Sequence, residues 1–154
     1  MILAKTTEYS LAILGFMATR DEASYSAEYL HEQLKIPRRY LRKLLTDLAK
    51  HGFLSSIKGR NGGFIFSKDL KEINFAHVIE TLEGKELTNR CIMGFTCCMV
   101  DKPCLMHDSW TEATEKLRDT LAATNLADLR EKYLADKKIT HNSLSINQII
   151  NSKN

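Results

Sequence analysis

A mainly α-helical fold carrying one small β-hairpin is predicted by three observations. Apolar residues recur at spacings of three and four through most of the chain, as they do on one face of a helix. One basic, glycine-rich turn, Lys58-Gly59-Arg60-Asn61-Gly62-Gly63, separates two short β-prone runs. After a segment that holds all four cysteines, helical periodicity resumes near Trp110. The 154 residues thus divide into a head over 1–84, a cysteine-rich loop over 85–108, helices over 109–135 and a polar, mobile tail over 136–154.

Taken in order, Tyr9, Ala12, Ile13, Phe16 and Met17 predict an amphipathic helix from about Lys5 to Arg20. Its one early acid, Glu8, suits the positive end of the helix dipole. Ser26 can cap a second helix running to Leu34, with Tyr25 and Leu30 placed as a hydrophobic staple. Lys35 and Ile36 form a short turn, and Pro37 suits the first position of a third helix, where its missing N–H would have no intrahelical partner. In that helix Leu41, Leu44, Leu45 and Leu48 form the apolar face, while Arg38, Arg39, Arg42, Lys43, Thr46 and Lys50 project elsewhere. Gly52 ends it, and Phe53 to Ile57 and Phe64 to Phe66 are expected to pair as strands.

A helix-turn-helix followed by a basic hairpin is a winged helix, in which the third helix enters the major groove and the hairpin reaches phosphate or the minor groove. Charge agrees with that reading. Net charge is only +3, yet residues 35–60 hold Lys35, Arg38, Arg39, Arg42, Lys43, Lys50, Lys58 and Arg60 against Asp47 alone. The positive field is concentrated where a polyanion would dock. Candidate contacts to a double-stranded DNA operator are Arg38, Arg39, Arg42, Lys43 and Thr46 on the helix, with Lys58, Arg60 and Asn61 on the wing.

Asn74 is placed to cap a further helix with Val78, Ile79 and Leu82 inward, closing at Gly84. Pro103 is expected to open the next one, which would put Cys104 and His107 on one face. Trp110, Ala113, Thr114, Leu117 and Leu121 continue a seam with little sequence left to pack against. A long dimerisation helix meeting a second copy of the chain is therefore expected, the alternative being packing onto the chain's own first helix. A last short helix is expected over Leu126 to Leu134, and Ile146, Ile149 and Ile150 could make a contact from the tail.

The cysteines, Cys91, Cys97, Cys98 and Cys104, are followed by His107. Structural cysteines scatter through a core, so their concentration in one loop points to a shared soft metal or iron–sulfur ligand. Met1 to Arg20 lacks a cationic start, apolar core and small-residue cleavage site, so a cytoplasmic, reducing setting is expected and disulfides are not. No apolar run approaches the ~18 residues of a membrane span, so no membrane partner is expected.

The chain resembles the Rrf-type winged-helix regulators of bacteria over about residues 1–135. The likeness rests on Lys5-Thr6-Thr7-Glu8-Tyr9-Ser10, Gly59-Arg60-Asn61-Gly62-Gly63-Phe64, Glu80-Thr81-Leu82-Glu83-Gly84 and Pro103-Cys104-Leu105-Met106-His107. It implies a homodimeric transcription factor, with no enzymatic activity and no small-molecule substrate. It also implies an iron–sulfur cluster, 2Fe–2S rather than 4Fe–4S, that senses nitric oxide, redox state or iron–sulfur supply. The matching ligand positions are Cys91, Cys98 and Cys104, with His107, or Glu8 of a partner subunit, as the fourth. Cys97 departs from the family pattern: it is a spare thiol in this assignment, the alternatives being that it replaces Cys98 or that the chain binds something other than a cluster. Repression is the expected sign of regulation. Two other readings stay open: a zinc- or thiol-based winged-helix regulator without a cluster, and an electron carrier or thiol oxidoreductase, for which a basic winged helix has no use.

Overall fold

The apolar stripes of the first four helices converge on one core. The computed structural model, which describes residues 3–84 and 104–137, runs α1 (Lys5–Ala18), α2 (Ala27–Leu34), α3 (Arg38–Lys50), β1 (Leu54–Ile57), β2 (Gly63–Phe66), a 3-10 turn (Leu70–Glu72), α4 (Phe75–Glu83), α5 (His107–Ala123) and α6 (Leu126–Lys137). Ile13, Leu14 and Met17 of α1, Leu30 and Leu34 of α2, all four leucines of the α3 stripe, Phe53 and Val78 are buried together. This is the mainly helical winged-helix architecture expected, with one two-stranded antiparallel sheet.

Local chemistry sets the element ends. Ser26 accepts the Tyr29 N–H at 3.0 Å and Asn74 accepts the His77 N–H at 2.7 Å, each oxygen satisfying a donor that the helix start leaves open. Lys35 ends α2 in the left-handed region (φ 55°), and Gly52 follows α3 with φ 73°, where glycine alone is free of strain. Pro37 stands one residue earlier than expected. It is the N-cap of α3 rather than its first helical residue, and its carbonyl accepts the Leu41 N–H at 2.8 Å. Either position tolerates a missing N–H, so the proline marked the helix start without fixing its register.

The wing is held to the head by backbone. β1 and β2 pair from Leu54↔Phe66 to Ile57↔Gly63, and Tyr25 bridges Phe64 with reciprocal N–H···O bonds of 2.9 and 2.8 Å. Gly63 lies so close to that bridge that a Cβ there would sit 2.7 Å from the Tyr25 carbonyl oxygen. The buried Tyr25 hydroxyl donates to the Met17 carbonyl at 2.9 Å, and burial pushes its phenol above the ordinary value, so it stays neutral. One residue thereby ties α1, the start of α2 and the wing.

The C-terminal helices turn back onto the head. Asn125 accepts the Ala127 and Asp128 N–H groups at 2.9 and 3.0 Å while Asp128 accepts the Asn125 N–H at 2.9 Å, a reciprocal cap that starts α6. Backbone bonds Phe75 N–H to Thr124 O and Leu126 N–H to Ile73 O fasten this corner to α4. From there α6 runs along α1: Leu129 faces Gly15, Arg20 lies over the rings of Phe16 and Tyr133, and Arg130 reaches the Ala18 carbonyl and Asp21.

Three expectations differ from this arrangement. α5 begins at His107, so Cys104 precedes the helix: its carbonyl accepts the His107 N–H at 3.0 Å in a turn, and the helical ladder starts with Trp110 N–H to Met106 O. Of the α5 seam, Thr114 alone is buried, and α5 packs on α4 rather than on α1, whose flank α6 occupies. α6 continues to Lys137, three residues past Leu134, while Pro103 and Ile146, Ile149 and Ile150 lie outside the described residues.

Because the space beside Gly63 is filled by backbone that cannot yield cheaply, Gly63→Ala should destabilise the head by about 1–3 kcal/mol. Urea unfolding of the full chain checks this, and an unchanged midpoint would show that the wing is not seated on Tyr25.

Candidate nucleic-acid interface

Burial of one stripe of α3 decides what the rest of that helix can do. Leu41, Leu44, Leu45 and Leu48 are at most 1% exposed, so Arg38, Arg39, Arg42, Lys43 and Thr46, at the intervening helical positions, stand at the surface. Thr46 donates its hydroxyl to the Arg42 carbonyl at 2.8 Å. Arg38 donates to the Glu28 carboxylate of α2. On the wing, Lys58, Arg60 and Asn61 are exposed, and Ser24 donates to the Asn61 carbonyl at 3.1 Å, fixing the turn against the start of α2. Among the described residues these cations have no buried acid beneath them, so the field they make is directed at solvent.

A second constellation joins this surface to the edge of the cysteine segment. Tyr40 leaves α3 toward α1, with its hydroxyl 3.0 Å from that of Thr6 and its ring edge-on to Tyr9 at 5.7 Å. No side chain of its own caps α1. Instead Glu83, the last residue of α4, accepts the Ala4 N–H, placing a carboxylate at the positive end of the α1 dipole. The end of α4, the first turn of α1 and the third helix are therefore connected in series. Tyr40 and Glu28 were not singled out by sequence pattern, and Thr6 and Glu83 entered only as parts of the motifs that carry the resemblance, because each acquires its role from a contact ten or more residues away.

The candidate metal ligands fall partly outside this frame. Cys91, Cys97 and Cys98 lie outside the described residues; Cys104 is exposed, His107 is half-buried at the start of α5, and Glu8 of α1 pairs with Lys5 at 3.7 Å. Among the described residues of a single chain, Glu8, Cys104 and His107 do not gather into a metal-holding group. No described helix is long and apolar enough to cross a membrane.

The sequence matches the model of the Rrf2 family, described as iron-dependent transcriptional regulators, over residues 3–132. It is 30% identical over 139 residues to an HTH-type transcriptional regulator of Aquifex aeolicus, covering 87% of this chain and 96% of that one. It is 32% identical over 133 residues to the HTH-type transcriptional regulator NsrR of Geobacillus kaustophilus, covering 85% and 90%. Among solved structures it is similar to CymR, the global cysteine regulator of B. subtilis, with a TM-score of 0.70 at 21% identity over 84% of this chain and 96% of that one, a likeness of fold.

If α3 reads bases and the wing holds phosphate, Arg42→Ala should weaken binding to a selected duplex by about 1–3 kcal/mol and relax its base preference. Lys58→Ala should weaken all duplexes alike and flatten the salt dependence. Fluorescence anisotropy against selected and scrambled duplexes measures both, and unchanged affinity in the two variants would contradict the interface.

Proposed function

The chain belongs to the Rrf2 family of transcriptional regulators, and on that premise we propose that it is a homodimeric repressor that senses nitric oxide, redox state or iron–sulfur supply through a 2Fe–2S cluster. DNA binding and transcriptional regulation come with the family, whose members are not enzymes. The observation that carries the sensing proposal is the concentration of all four cysteines between Gly84, next to the α1-capping Glu83, and the start of α5.

Thiolates with an imidazole or carboxylate suit a soft, redox-active iron centre. Cys91, Cys98 and Cys104 would hold it, with His107, or Glu8 of the partner subunit, as the fourth ligand. A bound cluster supplies a centre that oxidants and nitric oxide attack. Its protein frame supplies the response. A change in placement of the segment after Gly84 bears on Glu83, which caps α1; α1 in turn holds Tyr40 of α3 through Thr6 and Tyr9. For the dimer, α5 offers Trp110, Leu117 and Leu121, of which Leu117 is 39% exposed in the single chain, an apolar surface suited to a second copy of the same helix. Two heads held by such a seam would engage half-sites about one helical turn of DNA apart.

A second reading, a regulator that works through thiol or zinc chemistry without a cluster, is favoured by one observation: Cys104 is exposed and its thiol accessible. The two readings separate on colour. Anaerobically purified protein should absorb in the visible and contain iron and sulfide in equal number; a colourless protein with zinc, or with neither metal nor sulfide, would replace the first reading with the second.

Cys91→Ala, Cys98→Ala and Cys104→Ala should each bleach the protein, whereas Cys97→Ala should keep its colour, because only a true ligand leaves iron an open position. Full colour in Cys104→Ala would overturn the ligand assignment. Leu117→Glu would bury a charge at the seam and should shift the protein to monomer in sedimentation; an intact dimer would remove α5 as the interface.

A further inference from the structure

Arg38 is singular among the cations of the interface. It opens α3, the end of a recognition helix that meets base edges, and among the described residues it is the one of Arg38, Arg39, Arg42, Lys43, Lys58 and Arg60 that stands in an ion pair. Its partner Glu28 lies in the first turn of α2, ten residues earlier, on a helix that packs directly against α3. Both side chains are well exposed, 63% and 46%, so the pair contributes little to folding. A carboxylate on this surface also repels the phosphates of any duplex that docks there. It therefore weakens the sequence-independent attraction that dominates binding to arbitrary DNA.

We propose that Glu28 is a positioning residue that sets sequence discrimination through Arg38. A guanidinium presents five donors in a rigid fork, and a carboxylate engages part of them while the remaining N–H groups stay directed outward. Paired in this way, Arg38 is biased away from the nearest phosphate. Its remaining donors face a base edge with two acceptors, as guanine offers in the major groove. Glu28 thus raises the ratio of operator to non-operator affinity from both sides: it withholds a phosphate contact on the wrong sequence and pre-orients a base contact on the right one. The residue is not itself a DNA contact.

This inference rests on the DNA-binding reading, and its test keeps the two apart. A duplex is first selected by the full-length protein from a random-sequence library, and binding is then measured against it and a scrambled duplex across a salt series. Failure of the unaltered protein to retain any duplex would overturn the DNA-binding reading and this inference with it. With binding established, Glu28→Gln should raise affinity for the scrambled duplex several-fold. Its salt slope should steepen by about 0.9, the value of one added phosphate contact. Affinity for the selected duplex should rise less or fall, so the discrimination ratio drops.

In an Arg38→Ala background the same substitution should leave that ratio unchanged, because the group it positions is gone. Equal gains on both duplexes would show that Glu28 acts as a repulsive charge alone. Loss of discrimination persisting in the Arg38→Ala background would show that it acts through another residue. Either result overturns the proposal.

Discussion

Burial of the leucine stripe of α3 is the constraint from which the rest follows. Leu41, Leu44, Leu45 and Leu48 cannot leave the core without exposing a large apolar surface, so the helix has one rotational setting. That setting turns Arg39, Arg42 and Lys43 outward as a group. The same core takes Tyr25 and Phe53, which bracket the wing, so the two basic elements are oriented by one packing solution rather than two. Their relative placement is a property of the head, and a duplex meets a prearranged surface.

Rigidity of this kind makes a regulator possible, provided that something can move the surface as a unit. Under the proposed function, polar contacts at the rim of the core would meet that need. Glu83 touches the start of α1, and Thr6 and Tyr9 touch Tyr40 of α3, all within half-exposed surroundings where a hydrogen bond can be exchanged for water at small cost. The core itself need not rearrange. On the other flank, Arg20 and Arg130 hold α6 against the far end of α1, so the helix whose start meets Glu83 is braced at its other end.

Much of the fold was legible because it is written in local chemistry. Ser26, Asn74, Gly52 and the turn from Lys58 to Gly63 act over a few neighbouring residues, and each marks an element boundary in the structure. Pro37 shows the limit of that logic, since a proline fits on either side of a helix start. Cys104 shows another: three-residue spacing to His107 fits a helical face, yet the intervening residues form a turn. The neighbour of α5 within the chain was illegible because an apolar seam does not name what it packs on: α4 rather than α1 meets α5, with α6 on the flank of α1. Of the interface, the cations could be read from sequence because α3 is strongly two-sided. Glu28 could not, because an acid early in a helix is expected from the dipole alone, and only the approach of α2 to α3 gives it Arg38.

In the proposed function, the state of the cysteine segment sets the affinity of the winged-helix head for DNA. The direct measurement is the dissociation constant for one selected duplex, taken anaerobically on protein with iron and sulfide counted, then on the same preparation after both are removed. The two constants should differ by about 5- to 150-fold, the range of a typical coupling between distinct sites. Equal constants, in protein whose iron and sulfide were shown to be present and then lost, would contradict it.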